Sequence, residues 1–217
     1  MSVFPHAPLT EQEACVTGLA DSHLAAIDGQ RIHRQAIDDF LAMQRAAANA
    51  GVNLQIASGF RDYHRQAAIW QRKVTQLATP TDAALHGILR WSAMPGASRH
   101  HWGTDMDVYD PSALGNAKLQ LEPWEYANDG PFAELTAWLD KHAERFNFYR
   151  PYAQDHGGVA VEPWHLSYAP VAEQYLNRLT PQLLCRAWQQ HPPAAAEWLL
   201  THCDVLVARY VRAVSAP

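Results

Sequence analysis

Cysteine is scarce in this chain of 217 residues: Cys15, Cys185 and Cys203 are the whole complement. They are far apart, odd in number and form no C-x-x-C pair. That excludes a disulfide framework and a cysteine-built metal site, and it predicts free thiols, buried or partly so. No run approaches the ~18 apolar residues that a membrane-spanning helix needs. The N-terminus, MSVFPHAPLTEQEACVTG, has no basic stretch followed by an apolar one. No secretory signal is read there, so the expected address is the cytoplasm by default, with signal-less export as the other route. Neither a G-x-G-x-x-G run nor a Walker A run occurs, which removes the nucleotide-binding fingerprints. Positive charge is short as well: 17 Lys and Arg stand against 22 Asp and Glu, a formal charge of -5. Such a surface has no long-range attraction for a phosphate backbone, and nucleic acid is not an expected partner.

What is present is ordinary globular material, 48% hydrophobic and 18% charged, with enough length to bury a sizeable core. Two excesses stand out, 12 histidines and 8 tryptophans. Histidine is a common metal ligand and acid–base group, and tryptophan builds cores or lines pockets. Position decides between these roles.

Along the chain, residues 1–30 read as an irregular N-terminal arm with one short helix around Glu11–Gly18. Arg34–Asn49 has helical periodicity and stops at Gly51. Val52–Ala57 alternates like a strand, Ser58-Gly59 is a turn, and a second helix starts from an Asp62 cap. A further helix starts at Thr81 or Asp82. Thr104–Tyr109 is an expected short strand, and Phe132–Phe146 an amphipathic helix. Gly157–Ala160 and His165–Tyr168 read as two short strands parted by Glu162-Pro163. From Pro170 onward the pattern is helical, punctuated by Pro181 and Pro192-Pro193. This irregular alternation argues an α+β domain rather than a doubly wound parallel sheet. The expected fold is a small antiparallel sheet flanked by helices. The expected division is an arm over 1–30, a catalytic domain over 31–170 and a C-terminal helical extension over 171–217, packed on the same domain.

Three clusters can carry chemistry: Ser98-Arg99-His100-His101-Trp102-Gly103-Thr104-Asp105-Met106-Asp107, then Glu162-Pro163-Trp164-His165, and Ser58-Gly59-Phe60-Arg61 with Gln66 beyond it. A catalytic zinc takes three protein ligands and leaves a fourth position for water. Two imidazoles and one carboxylate, from His100, Asp107 and His165, form such a set. They leave the ion one net positive charge with which to acidify water and polarise a carbonyl. Asp105 and Asp107 fall on the same face of the expected strand, so either can reach an ion placed there. Pro163 can kink the chain so that Glu162 and His165 aim at one point, where a regular strand would part them. His101 reads as a neighbour of the site, and Asp105 also as a residue that orients a ligand imidazole.

Together these clusters resemble the LAS-type zinc D,D-peptidases, the M15 peptidase family of VanY-like D-alanyl-D-alanine carboxypeptidases. Ser98, His100, Gly103 and Asp107 match S-x-H-x-x-G-x-A-x-D in register. Glu162, Trp164 and His165 match E-P-W-H. The S-G-F-R segment resembles the family's S-G-Y-R-S. The likeness spans roughly residues 35–170.

The resemblance implies one zinc per chain held by His100, Asp107 and His165, with Glu162 as catalytic base. It implies that Arg61 holds substrate or stabilises developing charge. Ser98, Gln66 and Trp164 then belong to the substrate site, and the substrate is a peptidoglycan-derived peptide. L,D-carboxypeptidase or muropeptide endopeptidase activity would use the same machinery, and a non-catalytic peptidoglycan-binding module would keep the same fold. Three departures stand out: Asp105 replaces a small residue, Asp62 stands where the family often has Ser, and Ser167 where it often has Arg.

Overall fold

A computed structural model describes residues 7–217, so the first six residues of the expected arm lie outside the described residues. Helix α1 (Glu11–Thr17) is closed by a capping box between Thr10 and Glu13 and ends on left-handed Gly18. Strands β1 (Leu24–Ile27) and β2 (Gln30–His33) then pair as an antiparallel hairpin. Its turn is Asp28-Gly29, with φ of 47° and 75° at the two positions. The segment read as an irregular arm is thus largely ordered, and it buries Cys15, Val16 and Ile27 in the core.

Helix α2 (Ile37–Asn49) follows a single 3-10 turn and buries Phe40, Met43 and Ala47 along one stripe. Strand β3 (Gln55–Ser58) starts later than the alternation suggests. Helix α3 (Tyr63–Thr75) is capped by the Asp62 carboxylate, which accepts from the Arg65 amide at 2.8 Å. Helix α4 (Asp82–Leu89) is capped by Thr81. Strand β4 (Asp105–Tyr109) leads into the one-turn helix α5 (Pro111–Leu114), and α6 (Ala133–His142) ends in a 3-10 turn through Phe146. Strands β5 (Phe148–Tyr149) and β6 (His165–Tyr168) complete a four-stranded sheet in the order β3-β4-β6-β5, antiparallel throughout.

Gly157–Ala160, expected as a strand, has no strand pairing. Gly158 instead lies so close to the Arg209 carbonyl that a Cβ there would meet it at 2.0 Å. Gly158 therefore serves close packing against the C-terminal segment rather than the sheet, and the Gly157 carbonyl accepts from Arg209 Nε at 2.6 Å.

The C-terminal helices α7 (Ala169–Arg178), α8 (Pro181–Gln190) and α9 (Ala196–Val207), with a wide turn through Arg212, contribute to one continuous core. Their indole and carbonyl groups tie back into the rest of the domain. Trp188 Nε1 donates to the Pro95 carbonyl at 2.7 Å, and Trp70 Nε1 to the Ala194 carbonyl at 2.8 Å. Each fully buried large apolar side chain, Trp70, Trp102 and Trp188 among them, stabilises the fold by roughly 1.5–3 kcal/mol. Among the described residues, no helix is long and apolar enough to cross a membrane. The three cysteines are free thiols.

Gly103 fixes how the first motif meets the hairpin. Its φ is +65°, and an added Cβ would sit 2.4 Å from Leu24 Cδ2 and 2.7 Å from the His33 nitrogen. The His33 amide donates to the Gly103 carbonyl at 2.7 Å, so the close approach is bonded. Gly103→Ala should destabilise the protein by about 1–3 kcal/mol through left-handed strain, with the steric overlap adding to it. Urea unfolding of the two proteins checks this; an unchanged midpoint would refute it.

Candidate metal centre

The central strand β4 builds the site. Its register sets Asp107 opposite Ser58 of β3 on one side and His165 of β6 on the other. His100 comes from the 3-10 turn Arg99–Trp102 that precedes the strand. One ligand-type atom from each of His100, Asp107 and His165 lies within 4.8 Å of the other two, and all three side chains are buried. The distance from His100 Nε2 to Asp107 Oδ2 is 3.4 Å, and from His165 Nδ1 to Asp107 Oδ1 3.2 Å.

Hydrogen bonds decide which imidazole nitrogen each histidine can offer. His100 Nδ1 sits 2.9 Å from the Gly59 carbonyl, which can only accept, so Nδ1 carries the proton and Nε2 keeps its lone pair. Burial holds the His100 pKa below its usual value, partly opposed by Asp107, and the ring is neutral. In His165 the roles reverse: Nε2 lies 3.0 Å from Asp105 Oδ1, and Nδ1 faces Asp107. Burial alone would lower the His165 pKa, but bonds to Asp105 and Asp107 prevail and push it up to about 9. Asp107 is held below the carboxylate range, because the two imidazoles outweigh its burial. The donor set is two nitrogen lone pairs and one carboxylate oxygen, a combination suited to a divalent ion such as zinc.

Glu162 is brought over this cluster by a turn. The His165 amide donates to the Glu162 carbonyl at 3.2 Å, with Pro163 at the first inner position, where its fixed φ suits a tight turn. The Glu162 carboxylate then lies 3.5 Å from His165 Nδ1. Burial pushes its pKa up to about 7; His165 and Arg61 pull it down and Asp107 pushes it up. A carboxyl group balanced near neutrality, beside a metal-type donor set, is suited to proton transfer.

The cluster opens into a cleft of about 680 Å³, whose lining includes Arg61, Ser98, Asp107, Glu162, Trp164 and His165. Arg61 is held by Gln66, whose Oε1 accepts from Nη1 at 3.0 Å. Gln66 itself is fully buried, donates to the Ala93 carbonyl at 2.6 Å and does not line the cleft. It braces the arginine rather than facing a ligand.

His101 does not reach the centre either. Its Nδ1 faces the Arg61 carbonyl at 2.6 Å, and its Nε2 accepts from the Gly96 amide at 3.1 Å. Burial drives its pKa down to about 3, so it is a neutral tie between two backbone segments. Asp105 shares a face with Asp107, as its spacing implies, but points at the far side of the His165 ring.

Several neighbours carry no motif signal of their own. The Tyr152 ring packs edge-on to His165, with centroids 4.8 Å apart. Leu121 lines the cleft with φ of 56°, unusual for a leucine. Its loop is pinned by the buried Glu125 carboxylate, which accepts the Gln120 and Glu122 amides. Arg99 is buried against Asp105 at 2.7 Å; its place directly before the histidine pair was the available hint.

Comparison with known proteins identifies the family. A family model described as VanY, D-alanyl-D-alanine carboxypeptidase, matches residues 29–171. An uncharacterized protein of Haemophilus influenzae is 40% identical over 118 residues, 53% of this chain and 90% of that protein. A D-alanyl-D-alanine carboxypeptidase of Enterococcus faecalis is 29% identical over 170 residues, 69% of this chain but 57% of the longer relative. Among solved structures, a mutant of the vancomycin-resistance D,D-pentapeptidase VanY in complex with Zn(II) superimposes with a TM-score of 0.54. That match has 27% identity and covers 76% of this chain and 90% of the other. With the matched region containing all three clusters and the larger part of the sequence, the chain belongs to the VanY family of D-alanyl-D-alanine carboxypeptidases.

Proposed function

We propose that this protein is a zinc-dependent D-alanyl-D-alanine carboxypeptidase that trims peptidoglycan stem peptides or their fragments. The observation that carries the reading is the convergence of His100, Asp107 and His165 beneath the Glu162 carboxylate, at the floor of a cleft. His100 Nε2, His165 Nδ1 and one Asp107 oxygen would hold the ion. Zinc, when bound, supplies Lewis acidity that acidifies water and polarises the scissile carbonyl.

The chain's own groups supply the rest. Glu162 takes a proton from the attacking water and delivers it to the departing amine. Arg61, braced by Gln66, donates to the oxygen that gains negative charge, or holds the substrate carboxylate. Ser98 makes no capping bond at the head of its turn and lines the cleft, so its hydroxyl is available to the terminal D-residue. Trp164, packed against Tyr126 with centroids 5.5 Å apart, walls the same space.

The direct test is D-Ala release from a stem pentapeptide, with and without chelator, alongside elemental analysis. About one zinc per chain and chelator-sensitive release are expected. Zinc without release would redirect the substrate to tetrapeptides or cross-linked muropeptides. Neither zinc nor release would overturn the enzyme reading and favour a binding module.

Glu162→Gln should retain zinc while lowering kcat/KM by about 10²–10⁴. His165→Ala should lose zinc, and Arg61→Ala should lower the rate by about 10²–10³ with zinc in place.

Two pH dependences follow from the site. Glu162 must be ionised to act, and a bound cation stabilises the anion, so the acid limb of kcat/KM should lie at or below pH 7. Activity falls as pH drops through that limb, and Glu162→Gln should abolish it. His165 binds a proton up to about pH 9 when no metal is present, and an entering ion must displace it. Zinc affinity should therefore weaken by roughly tenfold per pH unit on going from pH 8 to pH 6. Calorimetry in two buffers of different ionisation enthalpy would count the released proton; no buffer dependence would refute the displacement.

A further inference from the structure

We propose that Asp105, anchored by Arg99, is a positioning residue that sets the metal affinity of the site by holding the His165 ring from behind. The inference rests on the zinc reading above and deepens it. Asp105 and Asp107 project from one face of β4, and the β6 register places Ser167 opposite the first and His165 opposite the second. The His165 ring thereby spans two carboxylates, with Nε2 on Asp105 and Nδ1 directed into the cluster.

The Asp105 carboxylate is saturated. Oδ1 accepts from Arg99 Nε at 2.7 Å and from His165 Nε2 at 3.0 Å. Oδ2 accepts from Thr104 Oγ at 2.6 Å and from Ser167 Oγ at 3.1 Å. A carboxylate has about four lone-pair sites, so none is left for an ion, and the group cannot swing toward one without breaking several bonds. Its available role is to fix the His165 tautomer and orientation and to raise the basicity of Nδ1.

Arg99 makes the buried anion tolerable. Beyond Asp105, its Nη2 donates to Ser167 Oγ at 2.8 Å and to the Tyr149 hydroxyl at 3.0 Å. Its guanidinium lies 4.7 Å from the Trp102 ring centroid. With both side chains almost fully buried, the guanidinium is the counter-charge that lets a carboxylate sit dry behind a ligand.

The test is zinc affinity measured by chelator competition, with unfolding midpoints recorded in parallel. Asp105→Asn should bind zinc about 10–100-fold more weakly. Because that variant leaves Arg99 poorly paired and can fail to fold, Thr104→Val supplies a milder probe. It removes one donor to Asp105 without a charge change and should weaken zinc a few-fold. Leu199→Ala, which opens a cavity on α9 away from the cleft, serves as a destabilised control and should keep wild-type zinc affinity. Folded Asp105→Asn and Thr104→Val with wild-type affinity would overturn the proposal. So would affinity losses that merely track the loss of stability, as judged against Leu199→Ala. If the wild type binds zinc but releases no D-Ala, the substrate reading fails and this proposal is still decided by the affinities.

Discussion

Antiparallel pairing of β4 with β6 is the constraint on which the centre depends. It brings Asp107 and His165 face to face from distant parts of the chain, and it sets Asp105 against Ser167 in the same stroke. Because side chains alternate along a strand, a slip of one residue would turn both aspartates away from the histidine. The pairing is protected on each side. β3 covers one edge of β4, and the short β5 covers the outer edge of β6. The Tyr126 hydroxyl donates to the Val108 carbonyl at 2.7 Å, fastening the far end of the strand.

Charge follows from that pairing. Three carboxylates, Asp105, Asp107 and Glu162, crowd one imidazole, and they are not equivalent. Asp105 has four donors and Asp107 two imidazoles, so both remain ionised despite burial. Glu162 lies at the edge with fewer partners, and burial raises its proton affinity. The sheet and the turn beside it thus hold an anion behind a histidine, an anion beside it and a carboxyl group with raised proton affinity. Environment alone distinguishes them.

Much of this was legible in the residues. The spacing of His100 to Asp107, the two-residue period of Asp105 and Asp107, and the proline in Glu162-Pro163-Trp164-His165 each carry a geometric consequence that the structure contains. The β1–β2 hairpin carries a local signal, since Asp28-Gly29 directly after the apolar Leu24–Ile27 is a strong two-residue hairpin turn. β5 was not legible, since two residues are too few to show a period. Gly157–Ala160 misled because a glycine that admits a neighbouring backbone, as Gly158 does, looks locally like a strand edge. Gln66 and His101 lie close to functional residues in sequence, but burial directs their polar atoms to backbone carbonyls and to Arg61. That distinction depends on packing across the whole domain, including α8, whose Trp188 grips the loop leading to Ser98.

The placement of the His165 ring between Asp105 and Asp107 has a further consequence. The same bonds that hold the ring in place for an ion also raise its affinity for a proton, so the two compete for one nitrogen, and the carboxylate behind the ring strengthens both rivals.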